Sequence, residues 1–405
     1  MTVDSMRTID RWFGIPLTFI LTWLLKLAHV YGKKQPVESR KILFVELSEM
    51  GSTILANPAM ERAKKNLQAE IYFVIFRKNK ASLQLLNTVE ENNIFTLREN
   101  NLLSLIIDTL RFLFWTRKKG IDTVIDLELF SRFTALLTGL SGANKRVGFH
   151  AFHNEGLYRG ELLTHRVAYN PHIHIAKNFV ALVYAIESKE EEVPYSKIHI
   201  SDKEIGLPTI HPTLQEQQTI QKTIIDRFNE YKPGYHKIVL LNPNASELLP
   251  QRRWMPERYQ ELASKILSRN DKFLVLITGA PSENEEADML CRKVGSQRCV
   301  NFTGATTLAE LPVLYSMALL MVTNDSGPGH FSSITTLPTF VLFGPETPAL
   351  YGSLGNSTPI YAGLACSPCV SAANHRKTAC TDNKCLQAIT VTQVFDQIKE
   401  YLHSD

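Results

Sequence analysis

Cysteine is scarce in this chain, six in 405 residues, too few for a fold built on disulfides. A membrane-spanning run is missing as well. The uncharged stretch Trp12 to Leu25 has fourteen residues and contains Gly14 and Pro16, against the roughly 20 apolar residues a crossing helix needs. Charge of one sign is absent from the body of the chain. Lys and Arg number 44 and Asp and Glu 40, a net +4, and residues 1–41 alone hold seven cations and three anions. Residues 42–405 are therefore balanced, without the basic stripe of a nucleic-acid binder. What is present, 44% hydrophobic and 21% charged residues, is globular composition with length for two domains. It excludes disordered and collagen-like classes.

The amino terminus pairs an aromatic-rich apolar segment with a basic run. Arg11 and Lys26 bound Trp12–Leu25, and a cluster of cations follows between Lys33 and Lys41. A secretory leader needs a small-residue cleavage site after its apolar run, and Lys-Leu-Ala-His-Val-Tyr-Gly-Lys-Lys follows here. An interfacial segment fits better, with Trp12, Phe13, Phe19 and Trp23 at headgroup level and the lysines facing anionic lipid. The alternative is a helix that packs on its own domain.

From Lys41 onward, short β-branched runs alternate with amphipathic stretches. Lys41–Leu47, Glu70–Phe76 and Thr123–Leu127 read as strands, with helices at Thr53–Leu67 and Leu102–Lys118. A charge run, Glu187–Pro194, and a polar helical segment, Thr213–Tyr231, interrupt the series. It restarts with strands at Lys237–Leu241, Phe273–Thr278, Leu319–Thr323 and Thr339–Phe343, and helices at Pro256–Arg269, Glu283–Val294, Thr307–Met317 and Val391–His403. The pattern predicts an α/β chain of two Rossmann-like halves with parallel sheets and a ligand cleft between them. The expected division is 1–40 for the interfacial segment and basic linker, 41–232 for the first half and 233–405 for the second.

Two loops of the second half carry anion chemistry. Thr323-Asn-Asp-Ser-Gly-Pro-Gly-His330 follows an apolar strand, and Gly327 and Gly329 let backbone approach a ligand at a helix start. Asn242-Pro-Asn-Ala-Ser246 leads to Arg252-Arg-Trp-Met-Pro-Glu257, placing two guanidinium groups ahead of a helix. Cations are poorly placed there against the helix dipole; a bound diphosphate gives them a reason, since arginine grips it bidentately.

Taken together, Arg252-x-Trp…Pro-Glu, Gly279-Ala-Pro-Ser-Glu283, Phe302-Thr-Gly-Ala-Thr-Thr-Leu-Ala-Glu-Leu311, Thr323–His330 and Leu342-Phe-Gly-Pro345 resemble the ADP-heptose:lipopolysaccharide heptosyltransferases, glycosyltransferase family 9. The resemblance runs over roughly residues 41–400. It implies a GT-B fold, with a nucleotide sugar on the second half and the acceptor on the first, and inverting glycosyl transfer without a metal. The family's Asp in its D-[ST]-G-x-x-H loop falls on Asp325, with Ser326, Gly327, Pro328, Gly329 and His330 near the donor diphosphate. The basic residue of its K-x-W pattern falls on Arg252. Asn244, Ser246 and Arg253 join the donor side, and Glu283 matches the carboxylate that binds the nucleotide ribose. A carboxylate placed only to suit a helix start is the competing reading of Glu283.

One position departs from the pattern. In the first half the family runs L-S-x-x-G-D, its Asp taking the acceptor proton; here Glu46-Leu-Ser-Glu-Met-Gly-Ser52 puts a serine in that place. With Ser48, Gly51 and Ser52 forming the acceptor-side loop, Glu49 is the first candidate base and Glu46 the second, because a serine alone is no base at neutral pH.

Cys366, Cys369, Cys380 and Cys385 fall in one stretch whose C-x2-C and C-x4-C spacing is compatible with structural zinc, free thiols being the alternative. Cys291 and Cys299 read as ordinary thiols, and His172 and His174 as packing or acceptor contacts. The expectation is a peripheral enzyme on the cytoplasmic face of the plasma membrane. It moves a sugar, by default heptose from ADP-heptose, to a lipid-linked or surface-glycan acceptor and needs no cofactor for catalysis. A catalytically silent nucleotide-sugar binder is the alternative that Ser52 suggests, and a nucleotide-sugar epimerase is a third.

Overall fold

A computed structural model of the chain describes residues 3–31, 38–153, 156–245, 249–371 and 376–403. The chain forms two compact units, one through Gly206 and one from Leu207.

The first unit opens with a single helix, α1 (Val3–Tyr31). Then come β1 (Lys41–Val45), α2 (Met50–Asn66), β2 (Glu70–Phe76), α3 (Ala81–Gln84), β3 (Ile94–Leu97) and α4 (Leu102–Lys119). β4 (Thr123–Asp126), α5 (Arg132–Leu140), β5 (Lys145–Phe149), β6 (His165–Val167) and α6 (Ile175–Glu187) complete it. Its six strands are all parallel, in the order β3-β2-β1-β4-β5-β6. Ile42 through Val45 are fully buried, since helices cover both faces of such a sheet and its strands read as unbroken apolar runs. Leu43, Tyr72, Phe112, Val124 and Leu137 share one core cluster.

The second unit repeats the plan. α7 (Leu214–Arg227), β7 (Lys237–Asn242), α8 (Pro256–Leu267), β8 (Phe273–Ile277), α9 (Asn284–Val294), β9 (Cys299–Asn301) and α10 (Leu311–Met317) come first. β10 (Ala318–Asn324), α11 (Gly327–Ser332), β11 (Thr339–Phe343), α12 (Pro348–Tyr351), β12 (Ser357–Tyr361), α13 (Lys384–Gln387) and α14 (Val391–Ile398) follow. The order β12-β11-β10-β7-β8-β9 is the first unit's order read from the other edge. In both sheets the order reverses between the first strand and the fourth, and the carboxyl end of that junction is where such folds bind ligands.

Two expected boundaries shift. The segment 213–231, placed with the first half from sequence, belongs to the second unit: Ile220 and Ile224 of α7 are buried, α7 packs on α10, and the Ile210 N–H donates to the Ile334 carbonyl at 2.8 Å. Residues 1–40 were expected as a segment of their own, yet α1 packs along α5 as part of the first unit.

Candidate functional site

The chemistry of the second unit gathers where β7, β10 and β11 end. Asn324, the last residue of β10, ties the loops together. Its Oδ1 accepts the Trp254 N–H (3.0 Å) and the Tyr259 hydroxyl (3.2 Å), and its Nδ2 donates to the Pro243 carbonyl (2.7 Å). Trp254 is fully buried and donates its indole N–H to the Ile389 carbonyl at 2.9 Å, which fixes the chain just beyond Arg252.

Beside this brace lies a buried charged cluster. Asp325 and Glu346 are 3% and 2% exposed, with their carboxyl groups within hydrogen-bonding reach of each other. Arg252 Nη1 stands 3.8 Å from Asp325 Oδ2 and 3.6 Å from Glu346 Oε2, and Arg376 Nε stands 3.5 Å from Glu346 Oε1. Burial and the adjacent Asp325 charge push Glu346 well above the usual carboxylate range, with Arg252 pulling the other way. Asp325 is raised by burial and held down by Arg252 and by the contact with Glu346. Both carboxyls are thus pushed toward the protonated form, as in any carboxyl pair too close to ionise twice. Arg252 Nε and Asp325 Oδ2 are buried without a hydrogen-bond partner. Such open capacity beside a strand end suits a polar ligand.

The Gly-rich loop is built as the sequence suggests. Ser326 starts α11 and its hydroxyl donates to the Asn324 carbonyl at 3.2 Å. Gly327, Pro328 and Gly329 form the first turn, and His330 is buried just after it. At Gly329 a Cβ would stand 2.7 Å from Ser353 Oγ, so an added methyl would have to displace that hydroxyl.

A second group forms at the ends of β7 and β8. Glu283 accepts the Ala280 N–H at 2.8 Å. Burial raises its pKa, opposed by that N–H, by Asn244 and by Arg253. Arg253 spends Nε and Nη2 on the Ala245 carbonyl (3.1 and 2.9 Å), so it shapes the loop as much as it supplies charge. Glu283 also precedes α9 directly, where a carboxylate suits a helix start. Ser246 lies outside the described residues.

In the first unit the loop after β1 is clamped by a residue that sequence reasoning missed. Glu128, just past β4, accepts the Leu47 N–H at 2.7 Å and lies 3.5 Å from Ser48 Oγ, both through Oε1. Neighbouring Asp126 is fully buried and paired with Arg159, which also donates to the carbonyls of Glu128 (2.6 Å) and Ser131 (2.9 Å). Burial lifts Glu128 to a pKa of about 7; the Leu47 N–H and Arg159 oppose the rise and the Asp126 charge adds to it. Glu49 is the N-cap residue of α2 and accepts the Ser52 hydroxyl at 3.2 Å. Glu46 is buried at the end of β1, and Gly51 lies in the first turn of α2.

Glu128 and Glu346 had a common signal in the sequence: each is an acidic residue one to three positions beyond an apolar strand. Of the four cysteines in the 366–385 stretch, Cys366 is exposed, Cys369 Sγ lies 3.2 Å from Thr378 Oγ1, and Cys380 Sγ accepts the Asn383 N–H at 3.4 Å. Among the described residues no group of three or more His, Cys, Asp or Glu side chains is placed to hold a metal.

The family profile described as Glycosyltransferase family 9 (heptosyltransferase) matches residues 115–379. The chain belongs to glycosyltransferase family 9. Lipopolysaccharide heptosyltransferase 2 of Salmonella typhimurium is 26% identical over 149 residues, 36% of this chain and 41% of that protein. Lipooligosaccharide heptosyltransferase 2 of Campylobacter jejuni is 28% identical over 174 residues, 41% and 51% respectively. The matched stretch thus spans about half or less of these relatives. In fold, this family 9 chain is similar to the Escherichia coli ADP-heptose lps heptosyltransferase II structure (TM-score 0.67, 19% identity, 89% of this chain and 98% of that one). It is equally similar to a glycosyl transferase family 9 structure from Veillonella parvula (TM-score 0.68, 18% identity, 90% and 98%).

Proposed function

We propose that this family 9 protein transfers a sugar from a nucleotide diphosphate donor to a lipopolysaccharide-like or other surface-glycan acceptor, with heptose from ADP-heptose the default donor that its relatives suggest. The observation that carries the reading is the buried Asp325–Glu346–Arg252 cluster, with hydrogen-bonding capacity left open beside the Gly-rich loop. Arg252 and the Ser326–Gly329 backbone stabilise charge on the departing diphosphate, so the step runs without a metal. An acceptor hydroxyl forms its new bond to the anomeric carbon on the face opposite the breaking bond to the diphosphate, which inverts that centre. Its proton passes to a carboxylate of the first unit. Glu128 fits this task best, because a carboxylate titrating near 7 is both available and basic enough at neutral pH; Glu49 is the next candidate.

The enzyme works from the cytoplasmic face, with α1 lying in the membrane interface. No helix among the described residues is long and apolar enough to cross a membrane, and Trp12, Phe13, Phe19 and Trp23 are all exposed on α1. The test is nucleotide release from ADP-heptose and a panel of other nucleotide sugars, with and without membrane glycolipid. Acceptor-dependent release supports the transferase. Donor binding without turnover in every combination supports the silent binder that Ser52 suggests instead.

A further inference from the structure

Two helices of the first unit carry an apolar stripe on the side that faces water. A surface helix of a soluble domain buries its apolar stripe and exposes its polar one. α4 buries Ser104, Asp108, Phe112 and Thr116 and packs Leu105, Leu113 and Trp115 on the core. Its exposed stripe is Leu103, Ile106, Leu110 and Phe114, between 49% and 70% accessible. α1 does the same. Gly14, Thr18, Leu21 and Thr22 face inward, while Trp12 is 73% exposed, Phe13 62% and Trp23 55%. Of the 23 large apolar side chains exposed among the described residues, nine lie on α1 and six on α4. Single exposed apolar residues need no explanation, but a concentration of this kind does.

The inward faces are built like contacts between helices in lipid, where small and hydroxyl-bearing residues let backbones approach. A Cβ at Gly14 would stand 2.8 Å from Arg132 Cβ. The hydroxyls of Thr18 and Thr22 donate back to the carbonyls of Gly14 and Thr18, each at 2.7 Å, and Thr22 Oγ1 accepts the Glu161 N–H at 2.9 Å. Asp10 locks the register: its carboxylate accepts the N–H groups of Arg132 (2.8 Å) and Phe133 (2.9 Å) at the start of α5 and pairs with the Arg132 guanidinium at 3.0 Å. Both helices rest against α5, and Met6 of α1 packs on the core cluster that holds Phe112, Leu113 and Phe133.

Charge follows the same division. Asp10 is spent on α5, and Asp108 is buried against Arg98, with Nε and Nη2 each at 2.8 Å. Arg11, Lys26, Arg111 and Lys118 are exposed. Apolar faces bordered by cations, with acids turned inward, complement an anionic bilayer rather than another protein surface.

We propose that α1 and α4 together form one lipid-embedding surface lying in the plane of an anionic membrane, so that the first unit is seated by its body rather than held by a terminal tether. This extends the membrane part of the function proposed above; the share taken by α4 is new. The test uses the full chain and vesicles of phosphatidylcholine with about 30% phosphatidylglycerol. Replacing Leu103, Leu110 and Phe114 by Glu, all exposed and so compatible with folding, is expected to lower partitioning at least about tenfold, with an unchanged thermal transition. Trp12→Glu with Trp23→Glu is expected to do the same independently. If the α4 variant binds like wild type while the α1 variant does not, α4 is not part of the surface and the proposal is overturned. If neither variant loses binding, the membrane reading falls with it. Lipid-free dimers that the α4 variant converts to monomers, with vesicle binding retained, would assign the face to a second copy of the chain and overturn the proposal too.

Discussion

The two units share one strand order, and each gathers two carboxyl groups and an arginine beside the carboxyl ends of its strands. They use that arrangement differently. In the first unit Arg159 has four acceptors: it pairs with Asp126 and donates to the Glu128 and Ser131 carbonyls and to Thr134 Oγ1. In the second, Arg252 stands 3.6–3.8 Å from its two carboxyl partners and keeps a buried Nε without a partner. A satisfied cluster rigidifies the fold around it, whereas an open one keeps polar capacity for a ligand. The same topology thus yields a brace in one unit, with Glu128 at its edge, and a less satisfied cluster in the other.

The sharpest way to break this contrast is to remove the open arginine. Arg252→Ala is expected to lower acceptor-dependent nucleotide release by about a thousandfold or more, since charge on the leaving diphosphate loses its stabilising cation. Steady-state assays at saturating donor measure it, and a loss under tenfold would return Arg252 to a structural role. Next in size is the closed cluster. Asp126→Asn leaves Arg159 buried beside a neutral partner and is expected to cost about 3 kcal/mol of stability, read by chemical denaturation.

Glu128→Gln probes the edge of the brace. The group titrates near 7 in the folded chain, and a base acts when deprotonated, so the wild-type rate should rise with pH through about 7. The variant is expected to lose about a hundredfold in rate together with that acid limb, and Glu49→Gln much less. Loss of rate with the limb intact would make Glu128 a clamp for Leu47 and Ser48 only. Stability runs the opposite way. Between the ordinary value of 4.5 and about 7 the folded chain keeps a proton the unfolded chain has lost, so this group's contribution to stability declines as pH rises across that window.

Much of this was legible in the sequence because parallel strands buried on both faces read as continuous apolar runs. Lys237–Leu241 and Thr339–Phe343 announce their strands, and the Gly-rich loop between Asp325 and His330 announces its turn. The boundary near 206 was not legible, because the helix Leu214–Arg227 is polar outside and chooses its unit through only a few buried residues such as Ile220 and Ile224. Glu128 and Glu346 were missed for a related reason. An acid after a strand is ordinary in sequence, and only tertiary packing decides whether it is solvated or buried beside a second carboxyl group. In α1 and α4 the apolar residues of the sequence do not by themselves say which stripe faces inward.

The smallest expected effect is the most discriminating for the comparison. The pair is pushed toward sharing a proton, and Glu346→Gln keeps a neutral donor of the same shape beside Asp325. Its stability cost at pH 7 is expected to stay below about 1 kcal/mol, far less than that of Asp126→Asn. The sign of its pH effect is also fixed. With its folded pKa raised, Glu346 contributes stability that is present at low pH and lost as pH rises. The variant should therefore show a flatter stability profile than wild type as pH rises above the ordinary value of 4.5, read by denaturant melts. A cost comparable to Asp126→Asn would mean that Glu346 is ionised and paired with Arg252, and that the second unit's cluster is as closed as the first's.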